Sequence, residues 1–171
     1  YLDNAATTQK PACVIDAMSH FYTSSNANVH RAVHTLAGEA TEGYEACRSL
    51  LKQRYNSTRA IITSGTTEAI NLVARSWGES NLNSGDVVVL TEMEHHSDIV
   101  PWQMLAERKA IELRYIPVID GELDLDAFDV ALEGAKLVCV VHTSNVLGIR
   151  NPVEKIIESS KNAGARVLLD A

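Results

Sequence analysis

The sequence has few cysteines, few aromatic residues and no long apolar run, and each shortage excludes a class of protein. Three of its 171 residues are cysteines, and 5% are aromatic. Three widely spaced cysteines without a CxxC pair argue against a disulfide framework and favour a reducing compartment, so we expect a cytoplasmic protein. No apolar run reaches the roughly 20 residues of a membrane span, and we expect no signal peptide, which excludes a membrane partner.

Basic residues are outnumbered by acidic ones. The chain has 15 Lys and Arg against 22 Asp and Glu, with a net charge of −7 and no basic tract. This balance excludes nucleic acid as a default partner. The phosphate-binding motifs GxGxxG after a strand and Gly-Lys-Ser/Thr after a glycine-rich loop are also missing, which excludes a dinucleotide-binding Rossmann domain and a P-loop.

The apolar residues that are present form short runs typical of buried strands. The 46% apolar and 22% charged content is that of a soluble globular protein. Four runs lack polar alternation and predict strands at 60–63, 86–90, 136–141 and 166–169, with a weaker fifth at 112–117. Because both faces of such strands are covered, they favour a mainly parallel sheet. We expect Cys139, inside one run, and Cys47, on an apolar helical stripe, to be buried.

Helical patterns alternate with these runs. The patterns cover 36–51, 67–76, 97–109, 124–133 and 152–163, with Ser97 as the expected cap of the third and Pro101 in its opening turn. Alternating strands and helices predict an α/β fold with right-handed crossovers. The sequence stops at Asp170-Ala171, directly after a strand run. We therefore expect the chain to be a piece of a larger domain.

Polar residues collect directly after the strand runs. Ligands of open α/β sheets bind at the carboxyl ends of strands, so these residues predict one site. Segment 64–67 has two Thr hydroxyls, a glycine and helix N-terminal amides, which suit a dianionic phosphate, although ordinary capping is the alternative. Asp170 ends the last run, where it either holds a ring nitrogen protonated or caps the next element.

Two adjacent histidines, His95 and His96, also raise the question of a metal site with Asp98. Adjacent histidines rarely direct both rings to one ion, and no further His or Cys has a matching spacing. We therefore expect no metal. A ring that stacks on a planar cofactor and moves protons is the better interpretation of His95.

Several segments resemble one family in order along the whole chain. The opening Tyr1–Thr8 resembles the start of class V aminotransferase-fold enzymes. The remaining segments are similar to SufS-type (group II) cysteine desulfurases, and they are Val29–Leu36, Ser64–Ala74, Met93–Gln103 and Ser144–Gly148. Each motif alone is weak, whereas together they identify the chain with the N-terminal half of such an enzyme.

The resemblance implies the large domain of a fold type I enzyme dependent on pyridoxal 5′-phosphate (PLP), present here in part. Such an enzyme removes sulfur from L-cysteine for iron–sulfur cluster assembly, giving alanine and an enzyme persulfide. By the same resemblance, Thr66 and Thr67 would hold the PLP phosphate. His95 would stack on the ring and assist proton transfer, Asn145 would bind the ring oxygen, and Asp170 would pair with the ring nitrogen.

Substrate-side residues follow less directly from the resemblance. Ala6, His30 and Arg31 would lie near the substrate entrance or the contact of a homodimer. A SufE- or SufU-like protein would accept the sulfur. The resemblance divides the chain into an N-terminal segment, 1–36, and part of the PLP-binding domain, 37–171.

The resemblance also implies parts that this sequence does not include. The family's Schiff-base lysine, nucleophilic cysteine and substrate-carboxylate arginine lie beyond residue 171, so we expect the chain to be inactive alone. The alternatives are a selenocysteine lyase or another class V aminotransferase-fold enzyme. A third is a catalytically dead homologue that binds a full-length partner through residues 30–36.

Overall fold

The computed structural model describes residues 1–31 and 33–171, so Ala32 of segment 29–36 lies outside the described residues. These residues form two compact units, 1–62 and 63–171. The boundary predicted after residue 36 stays a prediction. No helix among the described residues is long and apolar enough to cross a membrane.

The first unit is helical. Helix α1 (Ala12–His20) continues into a π-helical turn (Phe21–Ser25), and α2 covers Thr35–Arg54. The prediction of one long helix is therefore confirmed, and His34 begins it by accepting the Ala37 N–H on Nδ1 at 3.2 Å. The prediction that Cys47 is buried is wrong, because Ala37 and Ala40 are the buried residues of α2 and Cys47 is exposed within this part of the chain.

The strand predicted at 60–63 is also wrong. These residues are all described, and none is in a strand; Ile61 is 72% exposed. The carbonyl of Ala60 instead accepts hydrogen bonds from the Arg48 guanidinium at 3.3 Å. A strand requires a neighbour whose backbone completes its ladder, and no described strand pairs with 60–63.

The second unit is an α/β layer structure. Its strands are β1 (Val87–Thr91), β2 (Glu112–Ile116), β3 (Val118–Ile119), β4 (Glu122–Leu123), β5 (Ala135–Val141) and β6 (Arg166–Asp170). Its helices are α3 (Thr66–Val73), α4 (Glu79–Asn81), α5 (Val100–Lys109), α6 (Leu125–Ala131) and α7 (Val153–Asn162). The four longer strands form a parallel sheet in the order β2-β1-β5-β6, and β3 pairs with β4 in a hairpin. The α/β fold with a mainly parallel sheet flanked by helices is confirmed.

Neighbouring strand residues pack into different clusters, which explains the missing polar alternation. Val89 and Val138 join one buried cluster with α6 and α7, whereas Val88 and Cys139 join another that includes Trp102 of α5. Burial of alternate residues on opposite faces requires apolar side chains at every position. The prediction that Cys139 is buried is confirmed.

Candidate functional site

The carboxyl ends of β1, β5 and β6 lie at one edge of the sheet. The three strands are parallel neighbours, and Val141 at the end of β5 pairs with Asp170 at the end of β6. The segment that contains His95 follows β1, and the loop that contains Asn145 follows β5. The sheet therefore brings His95, Asn145 and Asp170 to the same edge, as the strand pattern predicted.

Thr66 and Thr67 begin α3, although none of the described residues before them is in a strand. Gly65 precedes the helix in an extended conformation, and no described side chain caps it. The Ser64 hydroxyl and amide both donate to the Glu68 carboxylate at 2.6 Å, and these hydrogen bonds lower the pKa of Glu68. Side-chain capping therefore does not occupy the first-turn amides, and these N–H groups can donate hydrogen bonds to an anion.

His95 lies on an ordered turn between β1 and α5. Its Nδ1 accepts the Ser97 N–H at 3.1 Å and contacts the Ser97 hydroxyl at 2.8 Å. The Asp98 N–H donates to the His95 carbonyl at 2.8 Å. With Nδ1 as acceptor, the neutral ring has its proton on Nε2, and the ring is exposed.

The helix predicted to start at Ser97 begins three residues later, at Val100. The predicted capping role of Ser97 is wrong, because residues 96–98 form a separate 3₁₀ turn that His95 caps. Pro101 lies in the first turn of α5, as predicted. The His95 and His96 rings are nearly perpendicular, with centroids 5.9 Å apart. Among the described residues, no group of three His, Cys, Asp or Glu side chains is arranged to hold a metal.

Asn145 is exposed at the tip of the loop after β5. The buried Ser144 hydroxyl accepts the Val146 and Leu147 amides at 3.3 and 3.1 Å, which shapes the turn beneath it. The buried Asn151 closes the loop by donating its side-chain amide to the Val141 carbonyl at 2.8 Å. The sequence analysis did not identify Ser144 and Asn151 as the residues that hold the loop on which Asn145 lies.

Asp170 is half-buried where β6 ends. Its backbone carbonyl accepts the His142 N–H at 2.7 Å, which ties it to the loop after β5. Burial raises the pKa of Glu94 and of Asp98, and the negative charge of the nearby Asp170 carboxylate adds to this in both cases. These two acids flank the His95 turn and are themselves buried.

The predicted substrate-side residues belong to the first unit. Ala6 lies in a turn and donates its N–H to the Asp3 carbonyl at 3.2 Å. His30 has a positive φ of 61° and places Nε2 3.2 Å from the Glu45 carboxylate. Arg31 is exposed. The roles of these three residues stay predictions.

The aminotransferase class-V family model matches residues 1–171, the whole chain. The chain belongs to the class-V aminotransferase family. It is 49% identical to a probable cysteine desulfurase of Synechocystis sp. over its full length, and 49% identical to a cysteine desulfurase of Enterobacter sp. over 99% of its length. It spans 42% and 43% of these two relatives.

Solved structures agree with this family assignment. The apo cysteine desulfurase of Thermococcus onnurineus matches all of the chain with a TM-score of 0.94 at 40% identity, and the chain covers 43% of it. The cysteine desulfurase CsdA of Escherichia coli matches 99% of the chain with a TM-score of 0.84 at 33% identity, and the chain covers 44% of it. The resemblance to this family is confirmed for the whole chain.

Class-V aminotransferases depend on PLP, and the sheet edge and the N-terminus of α3, a helix that packs against the 3₁₀ turn after His95, have groups that fit parts of that cofactor. The amides at Thr66 and Thr67 can bind a phosphate dianion, since a helix N-terminus stabilises negative charge. The carboxylate of Asp170 can stabilise a cationic ring nitrogen. The exposed ring of His95 is available for stacking. The fit therefore includes a phosphate group, a ring nitrogen and a ring face.

Proposed function

We propose that the protein to which this chain belongs is a PLP-dependent cysteine desulfurase of the SufS-like group. In the proposed reaction, L-cysteine and an enzyme thiol give L-alanine and an enzyme persulfide, so sulfur moves from substrate to enzyme. The observation that supports this most strongly is the 49% identity to cysteine desulfurases along the whole chain. Sulfur for iron–sulfur clusters, a SufE- or SufU-like acceptor, a homodimer and the cytoplasm belong to the same proposal.

Each residue at the sheet edge has a physical task in this proposal. PLP, when bound, supplies an electron sink for the negative charge that develops at the substrate α-carbon. Asp170 stabilises the protonated ring nitrogen on which that sink depends. Thr66 and Thr67 hold the phosphate through backbone amides, so the ring keeps one orientation. Asn145 donates a hydrogen bond to the ring oxygen.

His95 combines stacking with proton transfer in this proposal. Its ring is held by the Ser97 N–H on Nδ1, so Nε2 is the nitrogen left for the substrate side. A positioned histidine contributes typically 10²–10⁴-fold to a proton-transfer step. We propose that His95 Nε2 exchanges a proton with the substrate.

The first experiment is the intact mass of the purified natural protein, followed by its absorbance with added PLP and an alanine assay with L-cysteine. A mass above that of 171 residues, a cofactor band and alanine release support the proposal. The 171-residue chain alone should release no alanine. Release by that chain would contradict the assignment of the lysine and the thiol to other parts of the protein.

The matched variants are Asp170→Asn and Asp124→Asn in the natural protein. Asp170→Asn removes the charge that stabilises the ring nitrogen and should lower the alanine rate by at least tenfold while PLP stays bound. Asp124 caps α6, and its Asn variant should leave the rate unchanged. Equal rates in the two variants would contradict the role of Asp170.

A further inference from the structure

Two buried carboxyl groups flank His95 and are used by no role described above. Glu94 is 7% exposed and Asp98 is 0% exposed. Glu94 Oε1 accepts the Thr91 hydroxyl at 2.5 Å and the Val141 N–H at 2.9 Å. Asp98 Oδ1 accepts the Trp102 Nε1–H at 2.9 Å. One oxygen of each carboxyl group is therefore satisfied.

The second oxygen of each group has no hydrogen-bond donor in suitable geometry among the described residues. These two atoms, Glu94 Oε2 and Asp98 Oδ2, are both fully buried, and the two side chains are within hydrogen-bonding reach of each other. A buried acceptor without a donor costs about 1–3 kcal/mol, and a second buried negative charge costs more. One proton placed between the carboxyl groups removes both costs, because it supplies a donor and neutralises a charge.

The surroundings favour retention of that proton. Burial raises the pKa of Glu94 to about 7 and that of Asp98 to about 6, and the charge of Asp170 acts in the same direction. On the neighbouring strand, the buried Cys139 thiol lies within hydrogen-bonding reach of Asp98. Burial raises the pKa of this thiol well above the ordinary value, so the thiol is uncharged. Helix α3 packs against the 3₁₀ turn, and its one acid, Glu68, is bound by Ser64. Asp170 and Glu68 are therefore negative. Helix α5 also packs against the turn, and its charged residues, Glu107, Arg108 and Lys109, lie at its far end, where Arg108 and Lys109 bind Glu79.

We propose that Glu94 and Asp98 share one proton, and that this bond positions His95. Glu94 ties one end of the turn to β5 through the Val141 N–H, and Asp98 ties the other end to α5 through Trp102. The Asp98 N–H in turn holds the His95 carbonyl. Glu94 and Asp98 are positioning residues, and only the task of His95 rests on the proposed function.

The shared proton makes folding stability depend on pH. Both acids have a higher pKa in the folded protein than in the unfolded one, so the folded state binds the proton more tightly. The resulting stability is fully present below pH 4 and is lost as the pH rises through about 6 to 7. The midpoint of urea unfolding should therefore fall between pH 5 and pH 8.

Amide variants of the full chain test the shared proton directly. Asp98→Asn keeps an acceptor for Trp102 and provides an N–H donor to Glu94, and Glu94→Gln provides the reciprocal donor to Asp98. Each single variant should keep its urea midpoint from pH 5 to pH 8, whereas the wild-type midpoint falls. The double variant places two N–H donors face to face, so its midpoint should lie below the sum of the single effects at both pH values.

Other outcomes would overturn the proposal. A wild-type midpoint that does not fall between pH 5 and pH 8 means that no proton is shared. The same conclusion follows if Asp98→Asn falls as steeply as wild type, or if the double variant equals the sum of the single variants. Each substitution exchanges one oxygen for one nitrogen, so side-chain volume stays matched among the wild type, the two single variants and the double variant.

Hydrogen exchange at the Asp98 amide tests the positioning of His95. This N–H bonds the His95 carbonyl, so its protection, corrected for intrinsic exchange, reports the order of the turn. We expect wild-type protection to fall at least tenfold from pH 5 to pH 8, since one pKa unit is a factor of ten. Protection in Asp98→Asn should stay constant. Equal falls in both proteins would overturn the positioning role, and neither measurement depends on the cofactor, so failure of the proposed function would not alter them.

Discussion

Gly78 ends a π-helical turn, Ala74–Gly78, that leads from α3 to α4, and the Gly78→Ala substitution tests how tightly this turn packs against α5. Gly78 has helical φ and ψ of −59° and −50°, so alanine is conformationally unstrained there. A Cβ at this position would lie 2.8 Å from Leu105 Cδ2 and 3.3 Å from Trp102 Cζ3. Leu105 and Trp102 are both 0% exposed, so neither can move towards solvent. Trp102 is also the residue that binds Asp98.

Two opposing free energies decide the outcome. The helix propensity of alanine favours the substitution by about 1 kcal/mol. Overpacking of a filled core costs about 1–3 kcal/mol. We therefore expect Gly78→Ala to lower the free energy of unfolding by about 1 kcal/mol, which moves the urea midpoint by about 0.5 M for a typical m-value.

Tryptophan fluorescence during urea unfolding is the assay. Both tryptophans of the sequence, Trp77 and Trp102, lie in the second unit, so the signal reports that unit. The matched control is Gly43→Ala in the middle of α2, where no described atom lies within 4 Å of the new Cβ. The control should raise the free energy of unfolding by about 1 kcal/mol, followed by circular dichroism.

The coupling with Leu105 separates crowding from other causes. In a Leu105→Ala background the nearest atom is gone, so Gly78→Ala should become stabilising. A Gly78→Ala variant at least as stable as wild type in the native background would refute the reasoning. So would an effect of Gly78→Ala that is the same in both backgrounds.

Two further substitutions and one chemical modification test other parts of the structure. Asn151→Ala should lower the free energy of unfolding by about 1–3 kcal/mol, because the buried Val141 carbonyl loses its side-chain donor. Urea unfolding measures this change, and an unchanged midpoint would contradict the prediction. Asp124→Ala should cost about 1 kcal/mol through loss of the cap on the Asp126 and Ala127 amides, while Asp124→Asn should cost less. An alkylating reagent should label two thiols in the native chain and three in urea by intact mass, since Cys139 alone of the three is buried; native labelling of Cys139 would contradict its burial.

The two central strands were predictable from the sequence because they are buried on both faces. The runs around Val88 and Val138 are apolar without alternation, and that pattern indicates covered strands at the centre of a parallel sheet. The run around Val167 has the same pattern but forms β6 at the end of the described strand order, where Leu169 is 40% exposed. The run at 60–63 has the same composition but lies outside the described sheet. Composition therefore indicated which segments suit a strand, whereas pairing depends on neighbours that a local pattern does not contain.

The sequence contains a turn motif that indicates the β3–β4 hairpin, and the strand prediction did not use it. Asp120 and Gly121 form its two-residue turn, both with positive φ, at 51° and 88°. An Asp-Gly pair between short apolar stretches is typical of such a turn. The strands are only two residues each, so no apolar run was long enough to indicate them.

The common edge of the predicted site residues could be read from the sequence where a residue follows a strand run, whereas residues that act through another residue could not. His95, Asn145 and Asp170 stand directly after apolar runs, so their common edge followed from the strand order. Glu94 and Asp98 were missed because exposed acids far outnumber buried ones, and spacing alone does not show burial. Their four-residue separation around two histidines was the available signal.

The buried acid pair also gives an exposed histidine a fixed place. His95 is exposed, so the position of its turn depends on the residues on either side. Glu94 and Asp98 fix that position through hydrogen bonds to β5 and α5, and a charge-assisted hydrogen bond is roughly twice as strong as a neutral one. On the proposals made above, His95 requires access for proton transfer, whereas the acid pair that positions it requires exclusion of water to keep the shared proton.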